Sequence, residues 1–249
     1  MTTPARIEPS AEMLTAARRW LEPVRTALGG DFLAAYVTGS ALLHGFDPQH
    51  SRVNLLVVSR GLAPEVLDRL AAAIPDSKRA PHFDPLFMTL AQMRASTDVF
   101  PIEWLDFKER HLRLEGEDVF AEIEVARTHL RLQCEHELRG KHLRLRHEYL
   151  ASARRPERLR EVLARMASGF HALFRTLLRL RGEEPPASTE RVIERVADLF
   201  QLDARALLEV HRMRFATQKQ DGAEARASYL RFLVEIEKLV GRIDALETS

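Results

Sequence analysis

The hydrophobic period of this chain changes partway along, and that change limits the fold more than any other feature. Residues 10 to 28 place Met13, Leu14, Ala17, Trp20, Leu21, Val24 and Leu28 at helical spacing, and Gly29-Gly30 ends the run. Phe32 to Val37 then reads as a strand leading into Thr38-Gly39-Ser40. Arg52 to Ser59 reads as a second strand, apolar on both sides and so central in its sheet. Ala63 to Ile74 is helical, with Pro64 tolerated in the first turn. His82 to Leu90 and Val99 to Phe107 are predicted as two further strands. From about Val125 no strand pattern remains. One helix is predicted over 126 to 153, with Leu130, Cys134, Leu138, Leu145 and Tyr149 on one face. A second carries Leu159 to Leu178 and breaks at Gly182-Glu183-Glu184-Pro185-Pro186. A third is capped by Ser188 or Thr189, a fourth by Asp203, and a fifth runs from Ala223 to Leu246. The expectation is an α+β chain: a mixed β-sheet with flanking helices over residues 1–124, then an antiparallel helical bundle over 125–249.

Composition narrows the partners. The formal net charge is +1 with 29% charged residues, so attraction to nucleic acid or membrane has to be local. The basic run Arg127, Arg131, Arg139, Lys141, Arg144 and Arg146 is interrupted by Glu135, Glu137 and Glu148 and lacks interleaved aromatic rings. It reads as a solvated face with local ion pairs, not as a nucleic-acid platform. Cys134 is the single cysteine, which excludes an internal disulfide and suits a reducing compartment. Met1 to Arg6 has no apolar run behind it, and no run is long enough to cross a bilayer, so a soluble cytoplasmic protein is expected. His129, His136 and His147 share a helical face, but neighbours seven apart stand about 10 Å apart along the axis, too far to share an ion. No hydrolase elbow surrounds Ser40 and no P-loop lysine follows Gly39.

Tyr36-Val37-Thr38-Gly39-Ser40-Ala41-Leu42-Leu43-His44-Gly45 resembles the entry to a nucleotidyltransferase domain of the DNA polymerase β superfamily, of the kanamycin/aminoglycoside and minimal types. The eleven residues 41 to 51 between Ser40 and Arg52 match that family's spacing. Phe46 to Ser51 resembles its intervening loop and Val53 to Val58 its metal-site strand. Val99 to Asp106 resembles the later strand, which puts the third carboxylate on Glu103, and His111 to Phe120 resembles the exit from the domain. The likeness covers about residues 31 to 124, and the order of helices that follows fits the appended domain of the aminoglycoside enzymes. It implies that Gly39 and Ser40 cradle phosphate, and that a glutamate of the helical half, Glu135 or Glu137 by position, is the base for an acceptor hydroxyl.

In such enzymes paired acids hold two Mg²⁺ ions that bridge nucleophile, α-phosphate and leaving group. Here Arg52 and Asn54 stand where those acids are expected. A guanidinium cannot ligate a cation, and a carboxamide offers one neutral oxygen. Glu103 alone cannot build the cage, and Asp47, Asp84 and Asp106 are the candidate substitutes. Asp47 reads as a turn former before Pro48, and Asp106, on a strand, would face away from Glu103. No resident metal is therefore expected. The leading expectation is a non-catalytic or weakly active module binding a nucleotide or another phosphorylated small molecule through Gly39, Ser40, Arg52 and Asn54. An active adenylyl transferase using ATP or another NTP with Mg²⁺ is a second reading. An antitoxin-like module that binds a protein partner through its helical half is a third.

Overall fold

The computed structural model describes residues 9–42, 52–76, 81–213 and 222–246. The chain divides into two compact units, Met1–Ala126 and Arg127–Ser249.

The first unit opens with α1 (Ala11–Leu28). The Ser10 side chain caps it by accepting from the Met13 N–H at 3.2 Å. Strands β1 (Phe32–Thr38), β2 (Arg52–Ser59), β3 (His82–Thr89) and β4 (His111–Gly116) form one sheet in the order β3-β2-β1-β4. β1 is antiparallel to β2 and β4, whereas β2 and β3 are parallel and joined through α2 (Pro64–Ala73). β2 is thus an inner strand, as its two-sided apolar character requires, and β3 and β4 are the edges. Pro85 lies within β3, a place where a missing N–H is tolerated because the strand is an edge. Side chains alternate between two cores. Ala35, Val37, Val53, Leu55 and Val57 pack with α1 and α2 on one face. Ala34, Tyr36, Leu56 and Val58 pack on the other with Met93 of α3 (Leu90–Ala95) and Trp104 of α4 (Pro101–Glu109).

One expected strand is a helix. Val99 to Phe107 alternates apolar residues at Phe100, Ile102 and Trp104, yet Pro101 opens α4 at its first turn. The spacing that matters is three: Pro101 and Trp104 are buried, and Phe107 meets Trp104 edge-on at 5.6 Å. The Trp104 Nε1–H donates to the Ser96 carbonyl at 3.2 Å and to its hydroxyl at 3.1 Å, fixing the helix on the loop before it. The fourth strand lies instead in the segment His111 to Phe120, read from sequence as an exit. Gly116 of β4 has φ +92°, and a Cβ there would stand 2.1 Å from the Leu33 carbonyl oxygen, so only glycine fits. Tyr36, wholly buried, donates to the Glu117 carbonyl at 2.6 Å and accepts from the Val119 N–H at 2.9 Å. Burial raises its phenol pKa against the lowering effect of that N–H.

The second unit is helical: α5 (Arg127–Ser152), α6 (Pro156–Leu180), α7 (Thr189–Phe200), α8 (Ala204–Met213) and α9 (Gly222–Asp244). Leu138, Leu145, Phe170, Phe174, Tyr229 and Phe232 are buried in it, with Phe170 and Phe232 edge-to-face at 5.3 Å. Gly182, at φ +77°, follows the end of α6. Asp203 caps α8 through the Arg205 N–H at 2.9 Å, as its position predicts. Ser188 holds the N-cap place of α7 but makes no side-chain cap bond. Gly140, within α5, has nothing within 4 Å of the place a Cβ would take. Among the described residues no helix is long and apolar enough to cross a membrane.

Candidate functional site

β1 ends in a turn of 3-10 helix, Gly39–Leu42, that begins with Gly39 at φ +72°. This is the left-handed backbone that glycine adopts without penalty. A Cβ at Gly39 would come 2.9 Å from Asn54 Nδ2, so the carboxamide lies directly over the turn. The glycine is needed for that close approach as well as for its dihedral. Ser40 follows within the turn.

The strand register sets the other members. Thr38 is paired with Asn54, Asn54 with Asp84, and Thr38 on its other side with His111. One row of side chains, Asp84–Asn54–Thr38–His111, therefore crosses all four strands on one face, at about 4.8 Å per step. Arg52, two residues before Asn54, shares that face and is paired in register with His82. Arg52 Nη1 lies 3.7 Å from Asp84 Oδ1, with the two side chains 70% and 59% exposed. A pair this exposed and this long contributes at most about 1 kcal/mol. Among the described residues the guanidinium has no other ion-pair partner. At the far end of the row, His111 stacks on Phe120 at 4.4 Å. Its Nδ1 lies 2.8 Å from the Phe107 carbonyl, which can only accept, so Nδ1 carries the proton.

Sequence reasoning gave the third carboxylate to Glu103, and the structure corrects this. Glu103 is an exposed residue in the first turn of α4 and not on the sheet. Asp106, three residues on, is on the same helix, where i and i+3 neighbour one another, and its carboxylate is paired with Arg110. The acid that the fold brings beside Arg52 and Asn54 is Asp84, read from sequence only as one substitute among three. Asp47 lies outside the described residues. His111 was missed: its place beside Thr38 depends on a strand partner more than 70 residues away, and no local pattern marks it.

In the helical unit the Glu135 carboxylate accepts from Arg131 at 3.0 Å and from Arg139 at 2.8 Å, and Glu137 pairs with Lys141 at 3.0 Å. Arg146 pairs with Glu237 at 2.7 Å, so much of the basic run is engaged in ion pairs. Two guanidiniums therefore occupy lone pairs of the Glu135 carboxylate. Cys134 is fully buried, and burial pushes its thiol pKa up to about 12, with the Glu137 charge adding to the effect.

Among the described residues, the donor set of the site does not fit a two-metal centre. Arg52 brings a fixed positive charge, Asn54 a neutral oxygen, and Asp84 one carboxylate that already faces a cation. Among the described residues no group of three or more His, Cys, Asp or Glu is placed to hold a metal ion. The residues suit other chemistry: a glycine turn with a carboxamide N–H₂ over it, and a guanidinium two residues away along β2, are hydrogen-bond donors to an oxyanion.

No family model matches the sequence, and no curated protein matches it. Among solved structures, the chain is similar to spectinomycin adenyltransferase AAD(9) from Enterococcus faecialis, determined with ATP and spectinomycin. The identity is 14%, the match covers 94% of this chain and 99% of that chain, and the TM-score is 0.48.

Proposed function

We propose that the end of the sheet formed by Gly39, Ser40, Arg52 and Asn54 binds the phosphate of a nucleotide or of another phosphorylated small molecule without transferring it. One observation carries the reading: the Asn54 carboxamide packs over the left-handed Gly39 turn, two residues from a guanidinium. Two donors suited to phosphate are therefore adjacent and a third lies on the same strand, which supports binding over transfer. Arg52 supplies the positive charge that a metal ion would otherwise bring. A charge fixed on the protein binds phosphate but offers no open coordination position at which a hydroxyl nucleophile is activated.

The test is isothermal titration with ATP and GTP, each with and without Mg²⁺, on wild-type protein and on Arg52→Gln. Binding is expected with or without Mg²⁺, weakened at least tenfold by the substitution. Absence of heat under every condition would overturn the reading. So would pyrophosphate release by wild-type protein that stops when a chelator is added.

A further inference from the structure

A cavity lies at the start of β2 and β3, on the side of α1 and α2. It encloses about 290 Å³, close to the lower end of small-ligand pockets. Its floor is aromatic: Trp20, 5% exposed, meets Phe83 at 5.8 Å with the rings tilted 43°. Its walls are Ile74, Pro75 and Pro85. Two prolines and two rings have little rotamer freedom to lose, so the shape is formed before any ligand arrives. The rim carries Arg52 and Asp76, one charge of each sign, together with His82. Arg52 opens β2 and so borders this cavity as well as the opposite face, where its guanidinium lies 3.7 Å from Asp84. With the side chain 70% exposed, it can turn round the strand end towards a ligand here.

We propose that this cavity binds a small zwitterion of the α-amino-acid class with an aromatic side chain. The ring lies against Trp20 and Phe83, where offset or edge contacts between rings add to apolar burial. The carboxylate takes the guanidinium of Arg52, which can bond it through two N–H groups. The ammonium takes the carboxylate of Asp76. A simple anion would leave Asp76 opposed to it, and a simple cation would meet Arg52, so a ligand carrying both charges uses the whole rim. The proposal does not rest on the phosphate reading, although Arg52 serves both.

The test uses the full chain with L-phenylalanine as probe, and with 3-phenylpropionate and phenethylamine as analogues lacking one charge each. Trp20 reports binding through its fluorescence, because L-phenylalanine is dark when tryptophan alone is excited. Trp104, the other tryptophan, lies in the core on the opposite face of the sheet. L-Phenylalanine is expected to give a saturable change with Kd on the order of 1 mM or tighter. Each analogue is expected to bind at least tenfold more weakly. Asp76→Asn, an exposed substitution that leaves the core intact, is expected to weaken L-phenylalanine at least tenfold and to strengthen 3-phenylpropionate, whose carboxylate no longer faces a like charge. No saturable response to L-phenylalanine, an equal response to 3-phenylpropionate, or an unchanged affinity in Asp76→Asn overturns the proposal. Because ATP is titrated separately and Asp76 is no part of the phosphate site, either reading can fail while the other stands.

Discussion

Glycine does different work at Gly39 and Gly116, and side-chain volume separates the two. At Gly39 the neighbour is the end of a side chain, Asn54 Nδ2, which can rotate away. At Gly116 the neighbours are backbone: the Leu33 carbonyl at 2.1 Å and the Ala34 Cα at 2.6 Å, beside the irregularity in the pairing of β1 with β4. Neither can withdraw without opening the sheet. Gly116→Ala is therefore predicted to destabilise the first unit by at least about 2 kcal/mol, from the positive φ and the overlap together. A lower urea midpoint in tryptophan fluorescence is the readout, and an unchanged midpoint would refute the account. Gly39 could be read from the sequence because a strand, a glycine and a polar residue follow in order. Gly116 gave no such sign, since the chain it nearly touches lies some eighty residues earlier.

Among the elements, α4 and β4 show where sequence periodicity stops being informative. Phe100, Ile102 and Trp104 satisfy a two-residue alternation, and Pro101, Trp104 and Phe107 satisfy a three-residue one. A nine-residue helix is too short for the pattern alone to decide. The buried Trp104 and its bond to Ser96 settle the matter, and both depend on tertiary contact. α1, β1, β2, α2, β3 and the long helices were legible because each carries several turns or rows of one period. The same limit moved the third acid. Asp84 becomes the neighbour of Asn54 only through the parallel register of β2 with β3, which a single sequence does not encode locally. In α5, Gly140 is a weak point. With open space where its Cβ would be, Gly140→Ala is predicted to stabilise the helical unit by about 0.5–1 kcal/mol. A rise in melting temperature of a few degrees is the expected result. A fall would mean that the glycine is needed for a contact of another kind.

For the whole molecule, each unit contains its own buried core, and the chemical reporters are divided between them. Trp20 and Trp104 belong to the first unit and Cys134 to the second. Urea unfolding followed by tryptophan emission and by thiol labelling is predicted to give two different midpoints, and coincident midpoints would show a single cooperative unit. The labelling is clean at pH 8. The thiol, raised from 9.0 to about 12 by burial, stays protonated in the folded protein and regains its ordinary acidity when the helices open. Because that pKa is raised, the stability linked to the neutral thiol is complete below pH 9 and is lost as pH climbs through about 12. Folded protein is therefore unreactive at pH 8 both because reagent cannot reach the sulfur and because thiolate is scarce.

Pro85 has a consequence beyond its own strand. β3 borders solvent and shows Leu86 at 47% exposure, the profile of a sheet margin that recruits other chains. A proline midway along that margin withholds one donor from any strand that tries to lie down beside it and breaks the run on which aggregation would nucleate. The same ring that walls a cleft also keeps the molecule from extending into its neighbours.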